Sequence, residues 1–67
     1  MPYFEYVVGV TPPGTRITHY HHGIFSFYRK DEAQAAEYAI HVISERYGYN
    51  VKHQYSCVIK LLETEDF

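Results

Sequence analysis

The chain has 67 residues, and this length sets the first limit on what it can be. A chain of this size forms one domain and buries only about 60% of the surface that it exposes when unfolded, so its stability is marginal. Six lysine and arginine residues stand against eight acidic ones, and the net charge of −2 argues against a strongly basic surface for nucleic acid. The apolar content of 46% is far above that of disordered chains, so we expect residues 1–67 to fold as a single domain.

Cysteine content and hydropathy indicate the cellular compartment in which we expect the protein. Cys57 is the only cysteine, which excludes an intrachain disulfide and fits a reducing environment. The first residues lack the basic start and the long apolar run of a signal peptide. No stretch approaches the roughly 18 apolar residues that are needed to span a bilayer. We therefore expect a cytoplasmic protein that does not enter a membrane.

The first half of the chain predicts a β-hairpin. In residues 3–10, one alternating set of side chains is fully apolar and the other is mostly apolar, which is typical of a central strand. Residues 11–15 contain two prolines and Gly14 and predict a turn. A second strand is predicted over residues 16–28, with a bulge or bend at Gly23. Its polar first half is expected to project beyond the core as an exposed ribbon.

The helix has the clearest sequence signals. Asp31 is a good N-cap, Gln34 completes a capping-box pattern, and Gly48 ends the helix at the usual C′ position. Apolar residues at helical spacing predict one buried face. That face consists of Ala36, Ala39, Ile40, Ile43 and Tyr47.

A third strand is predicted over residues 50–62, followed by an acidic segment, 63–67, that is expected to fray. One alternating set of its side chains is expected to face the helix, and the other to be solvated: the first set is Val51, His53, Tyr55, Cys57, Ile59 and Leu61. The order ββαβ predicts an α+β fold with a three-stranded antiparallel sheet in the order 2-1-3. The helix covers one face of the sheet, and the other face is left open.

Eight tyrosines and no tryptophan are the most informative feature of the composition. A tyrosine combines an apolar ring with a polar hydroxyl, which suits a surface that holds another molecule. Strand parity and helical phase place Tyr6, Tyr47 and Tyr55 in the core and Tyr38 at its rim. The remaining tyrosines and nearby polar residues form the predicted binding surface: Tyr3, Arg16, His19, Tyr20, His21, Tyr28, Arg29, Tyr49 and Lys52.

The histidines are the one group that suggests metal chemistry. His19 and His21 point the same way on a strand and are able to chelate one ion, with His53 as a third ligand. No Cys, Asp or Glu lies nearby in sequence to complete the set. A solvated polar segment is therefore the preferred interpretation, with a pH-sensitive contact surface as the alternative. We predict no metal site.

Catalytic motifs are absent from the sequence, which contains no phosphate-binding glycine loop, nucleophile elbow or HExxH. Strand parity places Cys57 on the helix-facing side, where a thiol is buried and inert. We therefore expect no catalytic residues and no cofactor, and we do not expect an enzyme.

Residues 23–62 run strand, capped helix, Gly-aromatic turn and strand: GIFSFYRKDEAQAAEYAIHVISERYGYNVKHQYSCVIKLL. This layout resembles that of small phage-encoded inhibitors of bacterial machinery, which include some anti-CRISPR proteins and a phage inhibitor of bacterial RNA polymerase. The resemblance rests on layout and size. It implies a stoichiometric inhibitor that works in the host cytoplasm and occludes a surface of a larger complex, such as one that handles nucleic acid.

The tyrosine surplus and the open sheet face favour a non-enzymatic protein-binding module, although several of the tyrosines also fit a purely structural role in the small core and its rim. The alternative is a single-stranded nucleic-acid-binding domain, in which exposed tyrosines stack on bases and the Arg and Lys side chains lie near phosphates. An edge strand also offers a surface for homodimer formation.

Overall fold

The computed structural model describes residues 1–62, and it confirms the predicted α+β fold. Strand β1 pairs antiparallel with both other strands, so the sheet order is β2-β1-β3. The acidic segment 63–67, which was expected to fray, lies outside the described residues. The elements in chain order are β1 (Tyr3–Thr11), β2 (His19–Ser26), α1 (Glu32–Tyr47) and β3 (Gln54–Leu62).

The two faces of β1 differ sharply in burial. Phe4, Val8 and Val10 point toward α1 and are fully buried. Tyr3 and Val7 have the opposite parity and stay partly exposed, 46% and 37% respectively. The helix thus covers one face of the sheet, as the alternating pattern of residues 3–10 predicts.

The helix packs on the sheet through Ala35, Ala39 and Ile43, which lie one turn apart and are buried. The predicted face was wrong in part, because its centre is shifted by one residue: Ala36 is only half-buried, and Tyr47 is 52% exposed. The two small alanine side chains let the helix backbone approach β1 closely. Tyr47 lies in the last turn and contacts a strand side chain instead of entering the core.

Both predicted ends of the helix are confirmed. The Asp31 carboxylate accepts a hydrogen bond from the backbone N–H of Gln34 at 3.1 Å. Gly48 ends the helix with a φ of 72°, and its N–H donates to the Ser44 carbonyl. Only half of the capping box forms, because Gln34 Oε1 is buried and has no hydrogen-bond partner within residues 1–62.

Strand β2 is shorter than predicted, and no part of it projects as a ribbon. It spans His19–Ser26, and residues 19–22 pair with residues 7–10 of β1 inside the sheet. The residues before it form a loop, which a hydrogen bond of 2.8 Å between the Thr11 and Thr18 hydroxyls closes. Phe27 follows the strand but still donates its N–H to the Pro2 carbonyl at 2.9 Å, and its ring is buried.

Gly23 does not mark a bulge. It pairs with Tyr6 in an unbroken register, and the Tyr6 ring lies across it. A Cβ atom at Gly23 would lie 2.8 Å from the Tyr6 hydroxyl oxygen and 3.1 Å from two ring carbons. A missing side chain at this position therefore makes room for an aromatic ring on the neighbouring strand.

Strand β3 begins at Gln54, four residues later than predicted, because Asn50 organises a turn. Its side-chain oxygen accepts from the Lys52 N–H at 2.9 Å, and its carbonyl accepts from the His53 N–H at 3.1 Å. Val51, which was expected to face the helix, lies in this turn and is 97% exposed. From Tyr55 onward, the predicted alternation is confirmed.

The Gly23→Ala variant should be less stable than the wild-type protein. Alanine normally improves a strand relative to glycine, so a loss would show that the added methyl group displaces the Tyr6 ring. We expect overpacking to lower the free energy of unfolding by about 1–2 kcal/mol. Urea denaturation measures this change, and Ser26→Ala at an exposed position of the same strand is the control. Equal or greater stability of Gly23→Ala would contradict the close ring contact.

Candidate functional site

The sheet face that points away from α1 is a candidate contact surface, and we call it the open face. Cross-strand register brings together residues from all three strands that point away from the helix, and no element within residues 1–62 covers them. The open face consists of Tyr3, Glu5, Val7, Gly9, Thr11, Tyr20, His22, Ile24, Ser26, Gln54, Ser56, Val58, Lys60 and Leu62.

Apolar side chains form the middle of the open face. Val7 lies in the central strand and is directly opposite Val58 on β3. On β2, His22 is directly opposite Val7, and Ile24 is opposite Glu5 and therefore diagonal to Val7. Ile24 and Val58 are 63% and 69% exposed, which is high for aliphatic residues in paired strands. An uncovered apolar patch on a small domain is typical of a protein-contact surface.

The charge on the open face is balanced. Glu5 on β1 and Lys60 on β3 are directly opposite in the register. Opposite charges in facing positions attract each other across strands. The open face therefore presents an apolar centre beside a neutral charge pair, and not a field of one sign.

The Tyr20 ring lies close to a glycine on the neighbouring strand, as the Tyr6 ring does. A Cβ atom at Gly9 would lie 3.1 Å from a ring carbon of Tyr20 and 2.6 Å from the Ser56 hydroxyl oxygen. The Tyr20 ring thus lies beside Gly9 on the open face, although the residue is 67% exposed. This contact places an aromatic ring with a polar hydroxyl on the open face.

A second group of polar aromatic residues lies on the helix side of the sheet, near the end of α1. We call it the histidine–tyrosine cluster: His21, Tyr47, Tyr49 and His53. His21 Nε2 and the Tyr49 hydroxyl are 2.9 Å apart, and the rings of His21 and Tyr47 lie in contact, with centroids 4.3 Å apart and planes tilted by 32°. The cluster joins β2 to the segment that follows the helix. Its two hydrogen-bonded residues, His21 and Tyr49, are 28 residues apart in sequence.

Burial is the main electrostatic effect in this region. It lowers the pKa of His21 below its ordinary value, and the neighbouring His19 lowers it further. Burial raises the pKa of the Cys57 thiol, which keeps the thiol protonated near neutral pH. Cys57 is half-buried beside the core, so its predicted side of the sheet is confirmed.

The candidate metal ligands do not converge. Within residues 1–62, no three His, Cys, Asp or Glu side chains are placed to hold an ion. His21 Nε2 is engaged with Tyr49, and His53 Nδ1 lies 3.2 Å from the Asn50 side-chain oxygen. The arrangement is a hydrogen-bonded aromatic cluster.

The residues predicted as one binding surface occupy four places. Tyr3 and Tyr20 lie on the open face, and His21 and Tyr49 belong to the histidine–tyrosine cluster, with His19 beside them. Arg16 and Lys52 lie in turns next to the end of β1 that leads into the hairpin loop. Tyr28 and Arg29 follow β2 at the opposite end, where the guanidinium lies 5.6 Å from the Tyr28 ring centroid.

The predicted burial of two tyrosines was wrong, in opposite directions. Tyr49, expected to be exposed, is half-buried against the core and bonded to His21. Tyr47, expected in the core, is more than half exposed. Val7, Ile24 and Val58 were not among the predicted surface residues, because that prediction rested on polar and aromatic side chains; their exposure makes them candidate contact residues. Applying the predicted strand parity to aliphatic residues would have found them.

Among the described residues, no helix is both long and apolar enough to cross a membrane. The structure therefore contains no membrane-spanning helix in residues 1–62.

The histidine–tyrosine cluster should make stability depend on pH. The pKa of His21 in the folded protein lies below its unfolded value of about 6.5, so folding favours the neutral imidazole. The stability that the neutral His21 imidazole contributes is fully present above pH 6.5 and is lost as the pH falls through the pKa of His21 in the folded protein. The groups that face His21 are His19, Tyr47 and Tyr49, with His53 across the Tyr49 ring.

We expect the melting temperature of the wild-type protein to fall between pH 7.5 and pH 5 more steeply than that of His21→Gln. His22→Gln, on the open face, is the matched control and should retain the wild-type slope. An NMR titration of the imidazole protons gives the His21 pKa directly. A His21 pKa at or above 6.5 would contradict this account.

Comparison of the chain with protein-family models, with curated proteins and with solved structures finds no significant match.

Proposed function

We propose that this protein is a non-enzymatic protein-binding module that contacts its partner through the open face. The observation that carries the proposal is the exposed apolar patch of Val7, Ile24 and Val58 at the centre of that face. Tyr3 and Tyr20 lie on the same face and add aromatic rings with polar hydroxyls. Apolar centres surrounded by polar and aromatic side chains are typical of protein interfaces.

The position of the basic residues favours a protein over a single-stranded nucleic acid. A sheet that binds unpaired bases combines stacking rings with cations close to the phosphates. Lys60 is the one cation on the open face, and Glu5 lies directly opposite it. Arg16 and Arg29 lie near opposite ends of the sheet, outside the face. The exposed aliphatic residues match the apolar core of a protein interface.

We further propose that the module acts as an inhibitor, by occluding a surface of a larger complex. A three-stranded sheet with one helix behind it is a small platform, and its paired strands hold the contact residues in fixed positions. Such a platform loses little entropy on binding, which suits a stoichiometric inhibitor. The anti-CRISPR-like or phage origin suggested by the layout is part of this proposal.

The open face should lose its partner when charge is placed at its centre. We expect Ile24→Glu and Val58→Glu to weaken binding at least about tenfold, because a carboxylate in an apolar interface is desolvated without a counter-charge. Pull-down from bacterial lysate compares these variants with wild type, and titration calorimetry with the captured protein gives the affinity. Ala33→Glu is the control, since Ala33 is exposed and lies on α1, on the other side of the sheet.

The expected result is one protein retained by wild type and by Ala33→Glu and lost by both open-face variants. Equal retention by all four proteins would contradict the assignment of the open face. Salt-sensitive binding of an unstructured oligonucleotide, measured by fluorescence polarisation, would instead support nucleic-acid binding. Sedimentation of each variant separates loss of a partner from loss of self-association.

A further inference from the structure

A groove lies between α1 and the segment that leads into β3, on the side of the sheet opposite the open face. Its volume is about 360 Å³, which is large enough for one or two side chains. One wall comes from the helix and the other from residues 49–51 and the start of the strand. The lining residues are Glu37, Ile40, His41, Ser44, Tyr49, Asn50, Val51 and Tyr55.

Most polar groups of this groove are already engaged within the fold. The Ser44 hydroxyl donates to the Ile40 carbonyl at 2.7 Å, and the Tyr55 hydroxyl donates to the Asn50 carbonyl at 2.9 Å. The His41 ring lies 3.4 Å from the Glu45 carboxylate. A ligand in the groove would therefore contact mainly apolar side chains and the Glu37 carboxylate. This carboxylate has no ion-pair partner within residues 1–62.

The groove adjoins the unpaired edge of β3. This strand pairs with β1 along its whole length, and within residues 1–62 its outer edge pairs with no other strand. Tyr55, Cys57 and Ile59 point toward the helix but remain only half-buried. An incoming strand beside β3 would cover these side chains and satisfy the free backbone groups of the edge.

We propose that the edge of β3 and the adjoining groove bind an extended basic peptide segment by strand addition. The backbone of the segment pairs with β3, and alternate side chains point toward α1. One apolar side chain occupies the groove between Ile40 and Tyr55. A lysine or arginine two positions away pairs with Glu37, which is the charge complementarity that selects a basic segment. This site is separate from the open face, and it binds whether or not the open face has a partner.

The probe is a blocked peptide in which leucine and lysine, two positions apart, alternate with threonine. We expect it to shift the NMR amide signals of β3 and of residues 37–44, and to protect the outer amides of β3 from hydrogen exchange. Glu37→Gln should weaken binding about two- to fivefold, the size typical of an exposed ion pair. Glu32→Gln, on the same helix but outside the groove, should have no effect.

Two altered peptides separate the two parts of the proposal. Replacing lysine by glutamate should weaken binding to wild type but have a smaller effect on Glu37→Gln. Methylation of alternate backbone nitrogens removes the donors of the added strand, and should abolish binding. Absence of amide shifts at millimolar peptide, undiminished binding of the methylated peptide, or shifts confined to β2 or the open face would overturn the proposal. Ile24→Glu should bind the peptide as wild type does, so failure of the open-face assignment leaves this result unchanged.

Discussion

Burial of Phe4, Val8 and Val10 of β1 beneath α1 is the contact on which the rest of the structure depends. Each such side chain contributes about 1.5–3 kcal/mol as an upper estimate, whereas a domain of this length has roughly 3–10 kcal/mol of total stability. One helix is the only covering layer within residues 1–62, so it shields one side of the sheet. The open face follows from this single-sided coverage, and it is where we place the contact surface.

Two glycines in paired strands explain part of the tyrosine content. Gly23 makes room for the Tyr6 ring on the helix side, and Gly9 does the same for Tyr20 on the open face. Tyr49 has a third role, because it connects the segment after the helix to His21. The surplus of tyrosines thus divides into rings that complete a small core, rings that join distant segments, and rings that face a partner. Only the last group argues for binding.

The sequence was sufficient for the sheet order and the helix ends, because alternation in residues 3–10 and the Asp31 and Gly48 caps are local signals. It was insufficient wherever a contact between distant segments decides the outcome. The position of Tyr49 depends on His21, and the role of Gly23 depends on Tyr6 across the sheet. The candidate site shows the same limit. Tyr3 and Tyr20 were predicted to be exposed and are, but Tyr20 was expected on a projecting ribbon and instead lies within the sheet. The exposed aliphatic side chains become apparent only when the three strands are in register.

The central claim is that one face of the sheet is covered and the other is accessible to a partner. NMR of the free protein in the presence of a soluble paramagnetic agent tests this directly, because the agent broadens signals of exposed methyl groups. We predict strong broadening for Ile24 and Val58, and little for Val8, Val10 and Ile43. If the methyl groups of Ile24 and Val58 in the monomer were broadened as little as those of the buried residues Val8, Val10 and Ile43, the result would contradict an open face.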